Sequence, residues 1–249
     1  MNREWSMYLA KQYGISIEDD LSQTKGEYRV QDLIDQKLQM REFLEEQSSQ
    51  MNHAALAVTG TLFAKRYSVL SMGLFDALIR YQIILDTSPQ HTFITRKDGG
   101  EMGIVLPRTA VKLLSELSDD EVEVFLSSFV YKHLTPLFQR VSEVSRTKMT
   151  HLFSQISYNT AQKALQLKMD IPEKALQIDG QWKALLEGPA SCDRTKKSPL
   201  AMEFRLYHPS DGSSPYYIRK HCCLAYIVRG GDKSRACDSC PLLTDEERD

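Results

Sequence analysis

The sequence predicts an α+β fold that is predominantly helical, with a helical N-terminal region carrying a small β-hairpin and a small C-terminal module. Three observations predict it. Apolar residues recur at helical spacing through most of the first two-thirds of the chain. Two strand-like segments flank a glycine turn at Asp98-Gly99-Gly100. Four of the five cysteines fall within the nineteen residues from Cys222 to Cys240, close to the C-terminal end of the sequence.

Val30, Leu33, Ile34, Leu38, Met40 and Leu44 share one side of a helix expected between Val30 and Leu44. Asn52 to Leu85 continues as apolar helix, with a break expected near Arg66-Tyr67, and Pro89 ends that run. Thr92 to Thr95 and Met102 to Leu106 form the arms of the hairpin. Ser118-Asp119-Asp120-Glu121 is a capping box, and the helix it opens places Val122, Phe125, Leu126, Phe129 and Val130 on one face. Pro136 is expected to kink or end that helix, because proline has no amide hydrogen for the preceding turn. A further helix is expected from Val141 to Lys168, and another from Pro172 through Leu186. Beyond them, Gly188-Pro189 and Ser198-Pro199 break the pattern, and Glu203 to Tyr207 and Tyr216 to Ile218 read as strands. The sequence therefore divides into a helical domain, 1–187, and a module, 188–249. The module has about sixty residues, too few to build much core alone, so a metal staple would help it most.

The 249 residues carry a formal net charge of -2, which argues against nucleic acid, whose binding is dominated by basic surface. The most apolar stretch, Tyr67 to Leu85, is interrupted by Asp76 and Arg80, so no transmembrane segment is expected. The N-terminal residues lack the apolar run of a signal peptide. The expected location is the cytoplasm, its membrane face included. Thiols stay reduced there, and clustered cysteines point to metal binding or catalysis rather than to disulfides.

Cys222-Cys223 is followed, after thirteen residues, by Cys237-Asp238-Ser239-Cys240-Pro241. A Cys-x-x-Cys turn brings two thiolates to one side, and the adjacent pair supplies two more once the Gly230-Gly231 loop folds back. Four thiolates suit tetrahedral zinc, a [2Fe–2S] cluster or a [4Fe–4S] cluster. Zinc sites of this kind are normally built from two Cys-x-x-Cys knuckles, which adjacent cysteines cannot form, so the spacing favours an iron–sulfur cluster over zinc.

Ile218-Arg219-Lys220-His221-Cys222-Cys223-Leu224-Ala225-Tyr226, followed by Cys237-x-x-Cys240-Pro241-Leu242, resembles the C-terminal signature of the FhuF-like ferric siderophore reductases. The likeness covers about the last thirty residues. Phe153 to Asn159 is similar, more loosely, to a helix of the same family, and the helical region also resembles part of the siderophore synthetases that condense citrate with amines or alcohols. The loop from Gly230 to Ala236 is longer than is usual in the reductases. The resemblance implies that Cys222, Cys223, Cys237 and Cys240 hold a [2Fe–2S] cluster, which makes the C-terminal part an iron–sulfur module. It also implies one-electron, outer-sphere reduction of siderophore-bound iron(III), with no catalytic acid, base or nucleophile. The implied substrates are ferric siderophores of hydroxamate or citrate-hydroxamate type. The implied electron source is external, a ferredoxin or a flavoprotein reductase, and no nucleotide-binding glycine motif is present to argue otherwise. The competing reading is a zinc-stabilised, non-catalytic interaction or siderophore-binding protein.

From Arg194 to Arg235 there are nine Lys/Arg against three acidic residues, which reads either as a docking face or as a solvated loop. Arg205, Arg219, Lys220 and His221 are the docking candidates, Arg219 and His221 foremost because the chain keeps them beside the cysteines. Cys192 reads as a spare thiol, His133 as a hydrogen-bonded core histidine and His208 as a turn residue. Gln155, Asn159 and His151 share a polar helix face that suits either a ligand pocket or exposure to water. Met40, Met72 and Met102 read as core fillers.

Overall fold

A computed structural model describes residues 4–19, 21, 28–187 and 197–248. Its architecture is α+β, a helical N-terminal region with small sheets. Helix α1 (Glu4–Tyr13) runs through Gly14 into strand β1 (Ile15–Glu18). Strand β2 (Tyr28–Arg29) leads into α2 (Val30–Asp35) and α3 (Lys37–Ser49). The long helix α4 (Leu56–Tyr81) ends in strand β3 (Ile83–Leu85). The expected hairpin is present: β4 (Phe93–Arg96) pairs antiparallel with β5 (Met102–Pro107), and Thr95 stands opposite Gly103. Parallel pairing of β1 with β5 and antiparallel pairing of β2 with β4 complete a sheet of order β1-β5-β4-β2. Strand β6 (Val111–Leu113) pairs with β3.

The Ser118 capping box forms as the sequence requires: Ser118 Oγ accepts from the Glu121 amide, and the Glu121 carboxylate accepts from the Ser118 amide. It opens α5 (Asp119–Ser128), which passes through a π-helical turn (Phe129–Leu134) into α6 (Thr135–Ser145). Helix α7 (Met149–Asp170) packs along α4, and a 3-10 turn at Pro172–Lys174 precedes α8 (Ala175–Glu187). Strands β7 (Arg205–Tyr207) and β8 (Tyr216–Ile218) form a hairpin, and α9 (Ala225–Val228) follows.

Five boundaries depart from expectation. The helix expected to run to Leu85 ends at Tyr81, where Gln82 turns left-handed (φ 55°), and Ile83–Leu85 is a strand. The other four each have a physical reason as well. The Val30–Leu44 helix divides at Gln36, where the Ile34 carbonyl accepts from Arg140 Nε at 2.8 Å instead of serving only its own helix. Helix α4 runs unbroken through Arg66-Tyr67; Tyr67 is fully buried while Arg66 turns toward the β4–β5 turn, so the polar pair marks an edge of the core. Pro136 does not end the helical run. The π turn ahead of it widens the backbone, and the Thr135 amide reaches back to the Val130 carbonyl, so Pro136 sits in the first turn of α6. Finally, the Val141–Lys168 helix is cut at Arg146, which is left-handed (φ 65°). Thr147 Oγ1 there donates to the Ala57 carbonyl at 2.9 Å, and Ser145 Oγ accepts from the Thr147 amide; such side-chain bonds compete with helix.

The core lies between α4, α7, α6, α3 and the sheet. Gly73 lies where α4 crosses β1; a Cβ there would lie 2.3 Å from Ile15 Cδ1, so the Ile15 side chain would have to move. Asp76 and Arg80, the charges that interrupt the apolar run, belong to a buried network. The fully buried Asp76 carboxylate accepts from Tyr8 Oη (2.7 Å) and Tyr13 Oη (2.5 Å), and pairs with Arg80 Nε (2.8 Å) and Lys163 Nζ (3.0 Å). This ties α1, α4 and α7 together. Burial alone would raise the Asp76 carboxyl, but the two hydroxyls and the Lys163 ammonium outweigh it and hold it below its ordinary value.

His133 is the expected core histidine. Its Nδ1 donates to the Thr87 carbonyl, so Nε2 accepts from Tyr67 Oη at 2.5 Å, and burial brings its pKa down to about 4. Met40 and Met102 are buried as core fillers, and Met72 packs partly buried against the same core. Among the described residues no helix is long and apolar enough to cross a membrane.

Candidate metal centre

The C-terminal residues reach their positions through backbone bonds to the helical region. Gln155 Nε2 donates to the His221 carbonyl (3.2 Å), Gln162 Oε1 accepts from the Tyr217 amide (2.8 Å), and Ser157 Oγ donates to the Leu200 carbonyl (2.6 Å). Along these residues the polar face of α7 is covered by the C-terminal segment and not open to water. Gln155 is fully buried, and the face is polar because the chain lying on it presents backbone that needs partners. Asn159 Nδ2 donates to Ser68 Oγ (2.6 Å), which joins α7 to α4 beneath the cysteines.

The two cysteine segments meet. The Arg219 amide donates to the Ser239 carbonyl at 3.0 Å, joining the end of β8 to the Cys237–Cys240 knuckle, and the Cys240 amide closes that knuckle on the Cys237 carbonyl at 2.7 Å. The sulfurs then stand as two pairs: Cys223 Sγ is 4.0 Å from Cys237 Sγ, and Cys222 Sγ is 3.6 Å from Cys240 Sγ. Two thiolates on one tetrahedral ion with bonds near 2.3 Å lie about 3.8 Å apart. Each pair therefore suits one metal ion, and each draws one member from the adjacent cysteines and one from the knuckle. Among the described residues, no group of three or more His, Cys, Asp or Glu side chains is placed to hold a metal ion. Four cysteine thiols are the donor set that a zinc ion or an iron–sulfur cluster takes. All four are free thiols, with Cys223 and Cys240 buried and Cys222 and Cys237 half-buried.

The surroundings favour thiolate at Cys223 alone. Leu224 adopts a left-handed backbone (φ 62°), uncommon for a bulky residue, and its amide thereby points at Cys222 Sγ from 3.3 Å. Arg219 is 8% exposed; its guanidinium lies 4.3 Å over the Tyr158 ring and donates to Cys237 Sγ at 3.8 Å. Thiol hydrogen bonds from Cys222 and Cys237, with the charges of Lys65 and Arg219, hold the Cys223 thiol far below its ordinary value. The same sharing pushes the Cys222 and Cys237 thiols up, with burial adding to it. Cys223 also packs with Met51, Val58, Leu62 and Ala225, which shield its side of the site.

Of the sequence-predicted docking residues, Arg219 faces the sulfurs from a buried position and Lys220 is exposed beside it. The His221 ring lies tilted against that of His151, with centroids 4.2 Å apart. Burial lowers the pKa of both imidazoles, helped by Lys148 at His151 and by His151, Lys220 and Lys148 at His221. Arg205 makes a two-pronged pair with Asp245 at 2.8 and 2.7 Å, which occupies its charge. His208 is exposed ahead of the turn at Gly212, and Cys192 lies outside the described residues.

Sequence reasoning did not single out Lys65 or Arg248. Lys65 had a signal, a cation inside an apolar helix. Arg248 belongs to an acidic terminal run, yet its side chain is 1% exposed and donates to the carbonyls of Asp238, Cys240 (2.5 Å) and Leu243 (2.8 Å). It braces the knuckle from behind.

The fold and site define a helical α+β protein whose C-terminal segment presents two cysteine pairs. No family model matches the chain, and no curated protein sequence matches it.

Proposed function

We propose that the chain is a ferric siderophore reductase whose Cys222, Cys223, Cys237 and Cys240 hold a [2Fe–2S] cluster. The observation that carries this reading is the pairing of the sulfurs at 3.6 and 4.0 Å across the two cysteine segments. The likeness of the Cys-Cys-Leu step and the Cys-x-x-Cys-Pro knuckle to the FhuF-like reductases supports it. Such a cluster supplies single electrons, and one electron suffices to loosen iron from a siderophore, because hard oxygen ligands hold iron(II) far less tightly than iron(III).

The chain's own residues have three tasks in this reading. The Leu224 amide and the Arg219 guanidinium donate toward Cys222 and Cys237, which stabilises sulfur charge and so tunes the potential. Tyr158 and Asn159 position Arg219 for that role, with Asn159 Oδ1 at 3.5 Å from Nη2. Met51, Val58, Leu62 and Ala225 keep water from one side of the site, while the half-buried Cys222 and Cys237 leave another side near the surface. No acid, base or nucleophile is needed. The electron comes from an external donor, a ferredoxin or a flavoprotein reductase.

The test is a single turnover. Protein reduced beforehand with dithionite and freed of excess is mixed without oxygen with a ferric hydroxamate or ferric citrate complex. A ferrous-specific chromophore is expected to report about one iron(II) per chain. No iron(II) above the rate of the chelate alone would remove the proposed activity.

A further inference from the structure

A cavity of about 490 Å³ opens between α4, the β4–β5 turn and α9. Leu62 and Ala225 line it and belong to the same small apolar cluster as Cys223, so one layer of side chains separates the cavity from the Cys223–Cys237 pair. Its charge is one-sided: Lys65, Arg66, Lys97 and Arg229 face Glu101 alone. Among the described residues none of these four cations takes part in an ion pair within 4 Å.

The arrangement is built rather than incidental. Arg66 is threaded under the hairpin turn, where it donates to the carbonyls of Gly100 (2.6 Å) and Gly99 (3.0 Å). That approach requires glycine at position 100, which has φ +72° and where a Cβ would lie 2.5 Å from Arg66 Nη1. Half-buried Lys65 stands on α4 one residue from Arg66, while Lys97 and Arg229 reach the rim from opposite walls and are exposed. The volume is that of a small-molecule site, and its concavity does not suit the face of a folded protein. A cavity with four cations and one carboxylate favours a ligand that brings its own negative charge.

We propose that this cavity is the binding site for the iron substrate, and that Lys65, Arg66, Lys97 and Arg229 select ferric chelates bearing free carboxylates over neutral or cationic hydroxamate complexes. This rests on the reductase reading and narrows its substrate to the anionic, citrate-type class. It also gives Lys65 two neighbours, since the same ammonium acts on the Cys223 and Cys237 sulfurs.

Gallium(III) citrate, which copies the charge of the ferric complex but cannot be reduced, separates binding from electron transfer. Calorimetric titration of the full-length protein as purified is expected to show binding. Lys97→Glu combined with Arg229→Glu is expected to weaken it on the order of 100-fold, since two attractive charges become repulsive. Lys132→Glu, on the exposed side of the π turn, is expected to leave it unchanged. The iron content of the double variant should match that of the parent. Lys65→Gln repeats the test should the double variant fail to fold, with an expected loss of about tenfold. Absence of gallium citrate binding, or equal affinity in parent and variants, would overturn the assignment. Binding through these cations without reduction of ferric citrate would keep the site and remove the reductase activity. Reduction that is indifferent to the cations would do the reverse.

Discussion

Serine at Cys222 or at Cys240 is expected to abolish single-turnover reduction of a ferric chelate and to leave the purified protein with little iron. Each substitution breaks the pair whose sulfurs stand 3.6 Å apart, and a hydroxyl does not replace a thiolate as a soft ligand. Loss of one ligand is also expected to loosen the segment, because the C-terminal strands are only three residues each and the site closes them. The helical region should survive: its core is large and contains none of the cysteines. A variant with unchanged far-ultraviolet dichroism, no iron and no reduction is the expected result. Iron content and reduction at parental levels in both variants would show that these sulfurs are not ligands.

The second large effect lies away from the sulfurs. Asp76→Asn is expected to destabilise the fold by about 3–5 kcal/mol, because it leaves the buried Lys163 without its counter-charge and Arg80 with only the surface Asp170. It also loosens the junction of α1, α4 and α7. The sign of the pH dependence follows from the lowered Asp76 value. The unfolded chain binds this proton more readily than the folded one, so the stabilisation is complete above the ordinary value near 3.8. It is lost as the pH falls through the lower native value. Urea denaturation of parent and variant should therefore differ most at neutral pH and converge in strong acid. A difference below about 1 kcal/mol at pH 7 would mean that the network is only surface-grade in energy.

Much of the helical architecture was legible because long amphipathic runs, a capping box and a glycine turn are local signals. The hairpin at Asp98-Gly99-Gly100 and the Ser118 cap follow from their own residues. Strand β1 was not legible: four residues long, it pairs in parallel with β5, some ninety positions away, and nothing local announces that partner. The helix breaks at Gln36 and Arg146 were hidden for a similar reason, since Arg140 and Ala57 supply the competing bonds from elsewhere. Convergence of Cys222-Cys223 with Cys237 and Cys240 could be expected from spacing, but the pairing of Cys222 with Cys240 and Cys223 with Cys237 could not. Gln155 and Asn159 read as an exposed or ligand-facing stripe because sequence does not reveal that another segment lies over them. The cationic cavity was likewise invisible, its four charges coming from a helix, a hairpin turn and the stretch after α9.

The claim beneath these expectations is that the two cysteine pairs hold two irons bridged by sulfide. Protein purified without oxygen and assayed for metals and acid-labile sulfide decides it most directly. About two irons and two sulfides per chain, with a paramagnetic signal appearing on one-electron reduction, are predicted. One zinc per chain with no sulfide would contradict the account and leave the cysteines a structural staple.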